Sequence, residues 1–253
     1  MHITIQINSN ESSILNLPVS NLHLFQAFLY NLLPPERAAF LHDRGYRVDG
    51  RPMKLFAMSW PISNTKPRPR GDRIEYDLPV RLVVSTPVPE TLDGFANGAF
   101  KNDSLRIGNN SVFCESVEAV SYTVAPDDSG VTVRTLSPIT CYSQMQRADG
   151  RKYTVYFHPS SVDFSESVYN NLLKKFRAFH PSRETPSGHV TIRPVGRVAE
   201  RVAKFDEKNS FPIKGWEGQF HLMGPIELLQ IGVDCGLGAK NSSGWGCVGG
   251  WES

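Results

Sequence analysis

A glycine-rich segment near the end of the sequence has residue types suited to binding an anion. Glycines let a backbone approach a ligand closely, backbone amides can cradle a phosphate, and a lysine adds positive charge. The segment is neither a dinucleotide-binding fingerprint nor a P-loop, because it follows a predicted helix and lacks GKS or GKT. A glycine-rich surface connection without a ligand stays an open alternative. The segment, residues 236–246, reads GLGAKNSSGWG and places Gly236, Gly238, Gly244 and Gly246 around Lys240, Asn241 and Ser242.

Histidine is the side chain best suited to proton transfer near neutral pH, and the sequence contains seven. His42 lies beside Asp43 and Arg44 at the end of a short predicted helix, where an exposed catalytic group could face a cleft. A surface histidine that only interacts with the helix dipole would have the same sequence. His23, on the preceding predicted helix, is the second candidate for proton transfer.

Cysteine spacing and overall charge exclude several functional classes. The four cysteines, at 114, 141, 235 and 247, form no CxxC pair, so we expect no metal site, no disulfide framework and no cofactor. The formal net charge is only +2, so a nucleic-acid site would need a local basic patch. Two basic clusters are candidates, although either could be solvated surface. They contain Lys66, Arg68, Arg70 and Arg73, and Arg193, Arg197, Arg201 and Lys204.

The composition, with 40% hydrophobic and 21% charged residues, is that of a globular protein. No apolar run approaches the roughly 18 residues of a membrane helix, and the N-terminus lacks a signal-peptide apolar core. We therefore expect a cytoplasmic protein without a membrane segment.

The first half of the sequence predicts the order β-α-β-β-α-β. Its first helix has an apolar stripe that includes Phe25 and Leu29, with Ser20 as the expected cap. A second short helix is expected from Pro35 toward His42, ended by Gly45. Strands are expected over 2–7, in KLFAMSWPI, in RIEYDLPVRLVVS and over 111–124, with a further helix over 92–100.

The second half of the sequence repeats this order without repeating the sequence. Asp163 and Glu166 have capping-box spacing at the start of a strong helix. Two such units predict an α+β fold of tandem ferredoxin-like domains, residues 1–125 and 130–253, divided at the turn-forming segment APDDSG. The predicted elements are strands over 131–140, 190–202, 211–222 and 245–248, and helices over 164–179 and from Pro225, with a turn at FDEKNS.

Residues 236–246 match the pattern G-x-G-x-K-N-S-x-G-x-G, and this pattern resembles the C-terminal signature of the CRISPR precursor-RNA processing endoribonucleases. Trp245 stands where that family more often has phenylalanine. The segments LYNLL, LHDRGY and KLFAMS in the first half are also similar to successive segments of the family. The tandem ferredoxin-like order agrees with the resemblance, which covers nearly the whole sequence in element order.

The resemblance implies catalytic roles for three residues. It places the proton-transfer histidine at His42, and Tyr30 and Lys54 match positions that complete the site in some relatives. Tyr30 would transfer a proton or orient the ribose, and Lys54 would stabilise charge in the transition state. A packed helix tyrosine and a solvated lysine are the alternatives.

The resemblance further implies a metal-independent endoribonuclease that cleaves CRISPR repeat RNA through 2′-hydroxyl attack. The products would be a 2′,3′-cyclic phosphate and a 5′-hydroxyl, and the glycine-rich segment would contact the RNA. The alternative function is a catalytically silent subunit that binds repeat RNA within a CRISPR assembly. Other CRISPR subunits and a second copy of the chain are further expected partners, whereas a tandem ferredoxin-like protein without any RNA role is the third hypothesis.

Overall fold

The computed structural model of the chain describes residues 1–101, 105–125, 130–206 and 211–250. In the first half the elements are β1 (His2–Asn8), β2 (Ile14–Pro18), α1 (Leu22–Leu32), α2 (Pro35–Ala39), β3 (Tyr46–Val48), β4 (Arg51–Met53), β5 (Ala57–Met58), β6 (Ile62–Ser63), β7 (Arg68–Arg70), β8 (Arg73–Asp77), β9 (Val80–Ser85), α3 (Pro89–Lys101), β10 (Leu105–Ile107) and β11 (Asn110–Val120). In the second half they are β12 (Val131–Thr135), β13 (Tyr142–Gln146), β14 (Lys152–Tyr156), α4 (Val162–Phe179), β15 (Thr191–Ala203), β16 (Ile213–Met223), α5 (Ile226–Cys235) and β17 (Val248–Gly249).

Both halves contain an antiparallel sheet with the strand order of a ferredoxin-like domain. In the first half the order is β10-β11-β1-β9-β5, and β6 pairs with the far part of β9. In the second half it is β15-β16-β12-β17. The predicted tandem ferredoxin-like fold is therefore confirmed. The predicted limits at 125 and 130 flank residues outside the described part of the chain, so the limits themselves stay a prediction.

Each domain has its own hydrophobic core. The first packs β1 side chains such as Ile5 against Phe25 of α1 and Phe95 of α3, all fully buried. The second packs Phe164 and Phe176 of α4 against the sheet that contains β16. Burial of one such side chain contributes about 1.5–3 kcal/mol, so the apolar face of each helix fixes its position on the sheet.

The helices occupy the predicted segments, but two predicted caps are wrong. Asn21 precedes α1 in place of Ser20, and it makes no side-chain cap bond. Ser161 caps α4, and its side chain accepts a hydrogen bond from the Phe164 amide. Asp163 therefore lies inside the first turn, because serine two residues earlier already satisfies the free amide at the helix start.

The predicted strands over 2–7, 111–124, 190–202 and 211–222 are confirmed within a few residues, whereas the one over 131–140 ends at Thr135 and others are divided or shorter than expected. The segment RIEYDLPVRLVVS forms two strands, β8 and β9, in different sheets. The segment KLFAMSWPI forms only the two-residue strands β5 and β6, and the last predicted strand shrinks to β17. The hairpin β13–β14 was not expected. The turn FDEKNS lies partly outside the described residues.

Candidate active site

Tyr30 and Lys54 meet at the surface of the N-terminal domain. Tyr30 lies near the end of α1, on the edge of the face that buries Phe25 and Leu29. Lys54 follows β4, and its Nζ donates a hydrogen bond of 2.9 Å to the Tyr30 Oη. The same Nζ lies 5.2 Å from the centre of the Tyr30 ring, which adds a cation–π attraction. The two polar groups thus form one unit.

The backbone beside Lys54 has an unusual conformation that helps position its side chain. Leu55 has φ 52°, in the left-handed region that non-glycine residues rarely adopt. Its side chain is buried, and its carbonyl accepts a hydrogen bond of 2.7 Å from the buried Thr86 hydroxyl. Such a conformation costs on the order of 1 kcal/mol or more, so the surrounding contacts must hold it. It allows Leu55 to enter the core while Lys54 reaches Tyr30.

His42 lies close to this pair, as the resemblance implied. Helix α2 continues into a π-helical turn, Phe40–Arg44, where Leu41 is buried and His42 is exposed. Gly45, with φ 59°, ends the turn, and its amide donates to the Phe40 carbonyl. The ring centres of His42 and Tyr30 are 6.1 Å apart. The structure therefore brings together three residues that are up to 24 positions apart along the chain.

Asp43 orients the His42 ring, a role that was not predicted. The Asp43 Oδ1 lies 2.6 Å from the His42 Nδ1. A carboxylate only accepts hydrogen bonds, so Nδ1 carries the proton in this contact. In a neutral ring the lone pair then lies on Nε2, which can take a proton from a substrate hydroxyl. The side chains of both residues are well exposed, at 73% and 67%, so a large ligand can reach them.

Burial sets the protonation of Tyr30 and lowers the pKa of Lys54. Desolvation raises the pKa of Tyr30 to about 12, so its hydroxyl keeps its proton at neutral pH. Desolvation lowers the pKa of Lys54, while the nearby Asp43 charge acts in the opposite direction. Tyr30 is therefore suited to donate a hydrogen bond or a proton, and is poorly suited to act as a base.

The glycine-rich loop, residues 236–246, lies between α5 and β17 and is closely packed. At Gly246, which has φ 70°, an added Cβ would lie only 1.9 Å from the Leu237 carbonyl oxygen. No side chain fits there, because nonbonded carbon and oxygen atoms need more than 3 Å. At this position the glycine is thus required by the approach of the protein's own backbone.

Most of the glycine-rich loop is buried between the two domains. Trp245 has no exposed surface, and its ring centre lies 5.8 Å from that of Trp60 in the N-terminal domain. The Trp60 Nε1 donates a 2.7 Å hydrogen bond to the Gly244 carbonyl. The expectation that Trp245 contacts RNA is at odds with this burial, because its ring fills the domain interface.

Only the middle of the loop reaches the surface. Lys240 is exposed and Ser242 is partly exposed, whereas Asn241 is 8% exposed. The Asn241 Nδ2 donates to the carbonyls of Leu237 and Trp245, so this side chain closes the loop on itself. The predicted glycine positions 236, 238, 244 and 246 are buried as well. An RNA contact of the loop stays a prediction, now restricted to Lys240, Ser242 and their neighbours.

Gln26 joins the loop to the helix that carries Tyr30. Its Nε2 donates a 2.7 Å hydrogen bond to the Ser242 carbonyl. Gln26 precedes Tyr30 by four residues, about one turn or 6 Å along α1. The exposed part of the loop therefore lies beside the Tyr30, Lys54 and His42 cluster. Sequence reasoning missed Gln26, although its i, i+4 spacing to Tyr30 on a predicted helix was a usable signal.

The other predicted candidates have contacts within the protein. His23 Nδ1 lies 3.1 Å from the Phe205 carbonyl at the domain interface. In the first basic cluster, Arg68 pairs with Asp77 at 2.6 Å and lowers the pKa of that carboxyl to about 2. In the second, Arg201 pairs with Glu217 at 2.8 Å. These arginines are thus partly neutralised.

All four cysteines lie within the described part of the chain. All four cysteines are free, and three of them are buried. Within the described ranges, no group of three or more His, Cys, Asp or Glu side chains is arranged to hold a metal ion. The helices in these ranges are too short or too polar to span a bilayer.

The C-terminal half of the chain matches a known protein family. Residues 122–249 match the family described as "CRISPR associated protein Cas6, C-terminal", which is about half of the chain. The chain belongs to the Cas6 family. A curated Cas6 relative, the "CRISPR-associated endoribonuclease Cas6 1" of Methanocaldococcus jannaschii, is 25% identical over 98% of this chain and 92% of its own length. The Cas6 endoribonuclease of Pyrococcus furiosus is 24% identical over 92% of this chain and 83% of its own length.

Solved structures agree with the Cas6 assignment at the level of the fold. One, a "CRISPR associated protein Cas6", has a TM-score of 0.77, with 24% identity, and covers 100% of this chain and 99% of its own. Another, described as "An RAMP protein binding different RNA substrates", has a TM-score of 0.76 at 18% identity, with 98% of each chain covered. The likeness of fold to these structures therefore covers 98% or more of this chain.

Proposed function

We propose that this Cas6 family member is an endoribonuclease that cleaves CRISPR repeat RNA within precursor transcripts. The observation that carries the proposal is the convergence of Tyr30, Lys54 and His42, with the 2.9 Å hydrogen bond from Lys54 to Tyr30 at its centre. The two curated relatives, which align with nearly the whole chain, are named as endoribonucleases. These names support the class of reaction, and the side chains of this chain support its chemistry.

The three side chains suffice for a cleavage in which the RNA supplies the nucleophile. The 2′-oxygen attacks the adjacent phosphorus, the bond to the 5′-oxygen breaks, and the products are a 2′,3′-cyclic phosphate and a 5′-hydroxyl. His42 takes the 2′-hydroxyl proton at Nε2, since Asp43 holds the proton on Nδ1. The Tyr30 hydroxyl donates to the leaving oxygen. Lys54 stabilises the charge that develops on the phosphate. Every proton transfer is assigned to the protein, so the proposed reaction needs no metal ion.

The glycine-rich loop positions the RNA in this proposal. The Ser242 carbonyl accepts a hydrogen bond from Gln26, which lies one helical turn before Tyr30 on α1. Lys240 is exposed on the same loop. Backbone amides and Lys240 at this place would bind phosphates near the scissile bond. Binding to other CRISPR subunits or to a second copy of the chain stays a prediction.

The test uses the repeat RNA of the chain's own CRISPR locus, end-labelled and incubated with the protein in excess EDTA. We expect the protein to cut each repeat once and to leave a 2′,3′-cyclic phosphate at the 3′ end of the upstream fragment. A 2′-deoxy substitution at the scissile nucleotide should prevent the cut. Cleavage that requires added metal, or that tolerates the 2′-deoxy substitution, would contradict the mechanism. Binding without cleavage by the unmodified protein would instead support the silent subunit.

A further inference from the structure

A second polar surface lies outside the Tyr30, Lys54 and His42 cluster. It is a groove between the hairpin β13–β14 and residues 211–213, where β16 begins, and Lys240 of the glycine-rich loop also lines it. The Tyr156 hydroxyl donates a 3.2 Å hydrogen bond to the Pro212 carbonyl, which joins the hairpin to the opposite wall.

The groove concentrates positive charge in a chain whose net charge is only +2. Four cations line it, Arg147, Arg151, Lys152 and Lys240, and its lining residues within the described ranges include no carboxylate. Arg151 pairs with the exposed Asp149 at 2.7 Å, a contact that solvent weakens. A surface with this charge suits a polyanion.

Aromatic rings alternate with these cations. Tyr142, Tyr153, Tyr156 and Phe211 line the groove, and Phe211 is 79% exposed. The Arg147 guanidinium lies 5.5 Å from the centre of the Tyr153 ring, and the Lys240 ammonium lies 5.8 Å from that of Tyr142. A base stacked on either ring would therefore have a cation near its phosphate. Rings and cations interleaved in this way are typical of sites for unpaired nucleotides.

The groove is within reach of an RNA strand that occupies the active site. Ile213 and Tyr156, which line the groove, pack in one cluster with Leu22 at the start of α1. From Leu22 to Tyr30 is eight residues, or about 12 Å along the helix. Since stacked bases rise about 3.4 Å each, only a few nucleotides separate the two places.

We propose that this groove binds unpaired nucleotides of the substrate close to the scissile phosphate. Tyr153 and Phe211 would stack on bases, and Arg147, Lys152 and Lys240 would bind phosphates. The inference rests on the proposed function, because it takes the RNA strand through the Tyr30 site as given. It adds a binding surface that distinguishes unpaired from paired RNA, since only unpaired bases can leave a helix and stack on a side chain.

The test compares two matched double variants. Phe211→Ala with Lys152→Gln alters the groove, and Phe100→Ala with Lys101→Gln alters an exposed aromatic and a neighbouring lysine on α3, outside the groove. Affinity is measured by fluorescence anisotropy with a labelled repeat RNA that carries a 2′-deoxy scissile nucleotide. We expect the groove variant to bind about tenfold or more weakly, and the α3 variant to bind like the unmodified protein.

The kinetic and salt responses separate a binding groove from a structural role. Under single turnover at saturating enzyme, the groove variant should cut repeat RNA that keeps its scissile 2′-hydroxyl at nearly the rate of the unmodified protein, because the altered side chains do not touch the reacting atoms. Loss of one phosphate contact should also reduce the slope of log K against log salt by about 0.7. A structural defect would lower the saturated rate and leave the slope unchanged.

The outcomes distinguish failure of the groove from failure of the proposed function. If the unmodified protein binds and cuts repeat RNA while the groove variant binds equally well, the groove proposal is overturned and the function stands. An equal loss of affinity in the α3 variant would overturn it too. If the unmodified protein neither binds nor cuts the RNA, the proposed function itself fails. Tyr153→Leu is a second groove variant, and it should weaken binding in the same way.

Discussion

The Lys54 ammonium donates a 2.9 Å hydrogen bond to the Tyr30 hydroxyl, and this contact joins the end of α1 to the segment that follows β4. Burial raises the pKa of Tyr30 to about 12 and lowers that of Lys54. Tyr30 is therefore protonated at neutral pH. In the proposed mechanism, Tyr30, His42 and Lys54 divide the work of proton transfer and charge stabilisation.

Tyr30→Phe should slow cleavage by about 10²–10⁴-fold without changing RNA affinity, because it removes the group that donates to the leaving oxygen in the transition state. The ratio of the unmodified rate to the Tyr30→Phe rate should stay constant between pH 6 and pH 9, a range that lies about three units or more below the Tyr30 pKa of about 12. The measurement is a single-turnover pH profile for both proteins. A ratio that grows tenfold per pH unit would show that ionised Tyr30 acts as the base, contrary to the proposal.

Gly246→Ala should destabilise the protein by more than about 3 kcal/mol, because its Cβ would lie 1.9 Å from the Leu237 carbonyl oxygen. Gly196 provides a matched control with the same φ of 70° and nothing within 4 Å of an added Cβ. Gly196→Ala should cost only about 1–2 kcal/mol, from the backbone conformation alone. Chemical denaturation of the two variants checks the difference, and equal losses would contradict the close packing of the loop.

Lys240→Gln and Trp245→Ala should affect different properties of the protein. The first should weaken RNA binding, and the second should lower the stability of the fold. Lys240 is exposed, so its loss should weaken binding to repeat RNA and leave the unfolding free energy nearly unchanged. Trp245 is fully buried, so its loss should destabilise the fold by about 3–5 kcal/mol. Binding and denaturation are measured on both variants. Weaker RNA binding by a stable Trp245→Phe protein would restore a direct RNA role for that ring.

His2 should make the folded protein sensitive to mild acid. Burial lowers its pKa from 6.5 to about 4, while its Nε2 lies 3.0 Å from the Val248 carbonyl. Below pH 6.5 the unfolded chain binds a proton that the folded chain excludes, so the contribution of His2 to stability falls as the pH falls toward 4. The loss is at most about 3 kcal/mol.

His2→Gln removes this titration while its amide can still donate to Val248. Unfolding free energies of both proteins, measured at pH 7, 5.5 and 4.5, should show a smaller acid loss for the variant. The carboxylates affect both proteins alike and cancel in the comparison. Parallel pH curves would contradict the assignment.

The helices and the long strands could be predicted because their signals are local. Apolar residues with helical spacing, such as Phe25 and Leu29, together with Pro35 and Pro225, define α1, α2 and α5 in the sequence. The strands β3, β7 and β10 have only three residues each and pair at sheet edges or in small hairpins. Three residues are too few for an alternation pattern, so these strands depend on tertiary contacts.

The cluster of catalytic candidates was predicted from resemblance, and the residues that hold it were not. Asp43 was visible as a neighbour of His42, but its contact with Nδ1 depends on the π-helical turn. The conformation of Leu55 and its bond to Thr86 leave no local signal, since the two residues are 31 positions apart. Positioning contacts of this kind arise only after the chain folds.

The glycine-rich loop shows why a motif alone does not determine its contacts. A glycine is favoured wherever a backbone approaches closely, whether the approaching group is a ligand or the protein itself. At Gly246 the neighbour is the Leu237 carbonyl. The hairpin segment YSQMQRADGRKYTVY shows the reverse situation, in which no known motif is present but the residue types indicate a ligand. Its interleaved Arg, Lys and Tyr residues are typical of a surface that binds unpaired nucleotides.

The most direct test of the central claim is the cleavage of repeat RNA by the unmodified protein and by His42→Ala in EDTA, with the new ends mapped. We predict that the unmodified protein leaves a 2′,3′-cyclic phosphate and a 5′-hydroxyl at a single position. His42→Ala should bind the RNA equally well and cut it about 10²–10⁴ times more slowly. Equal cleavage by both proteins would contradict the account.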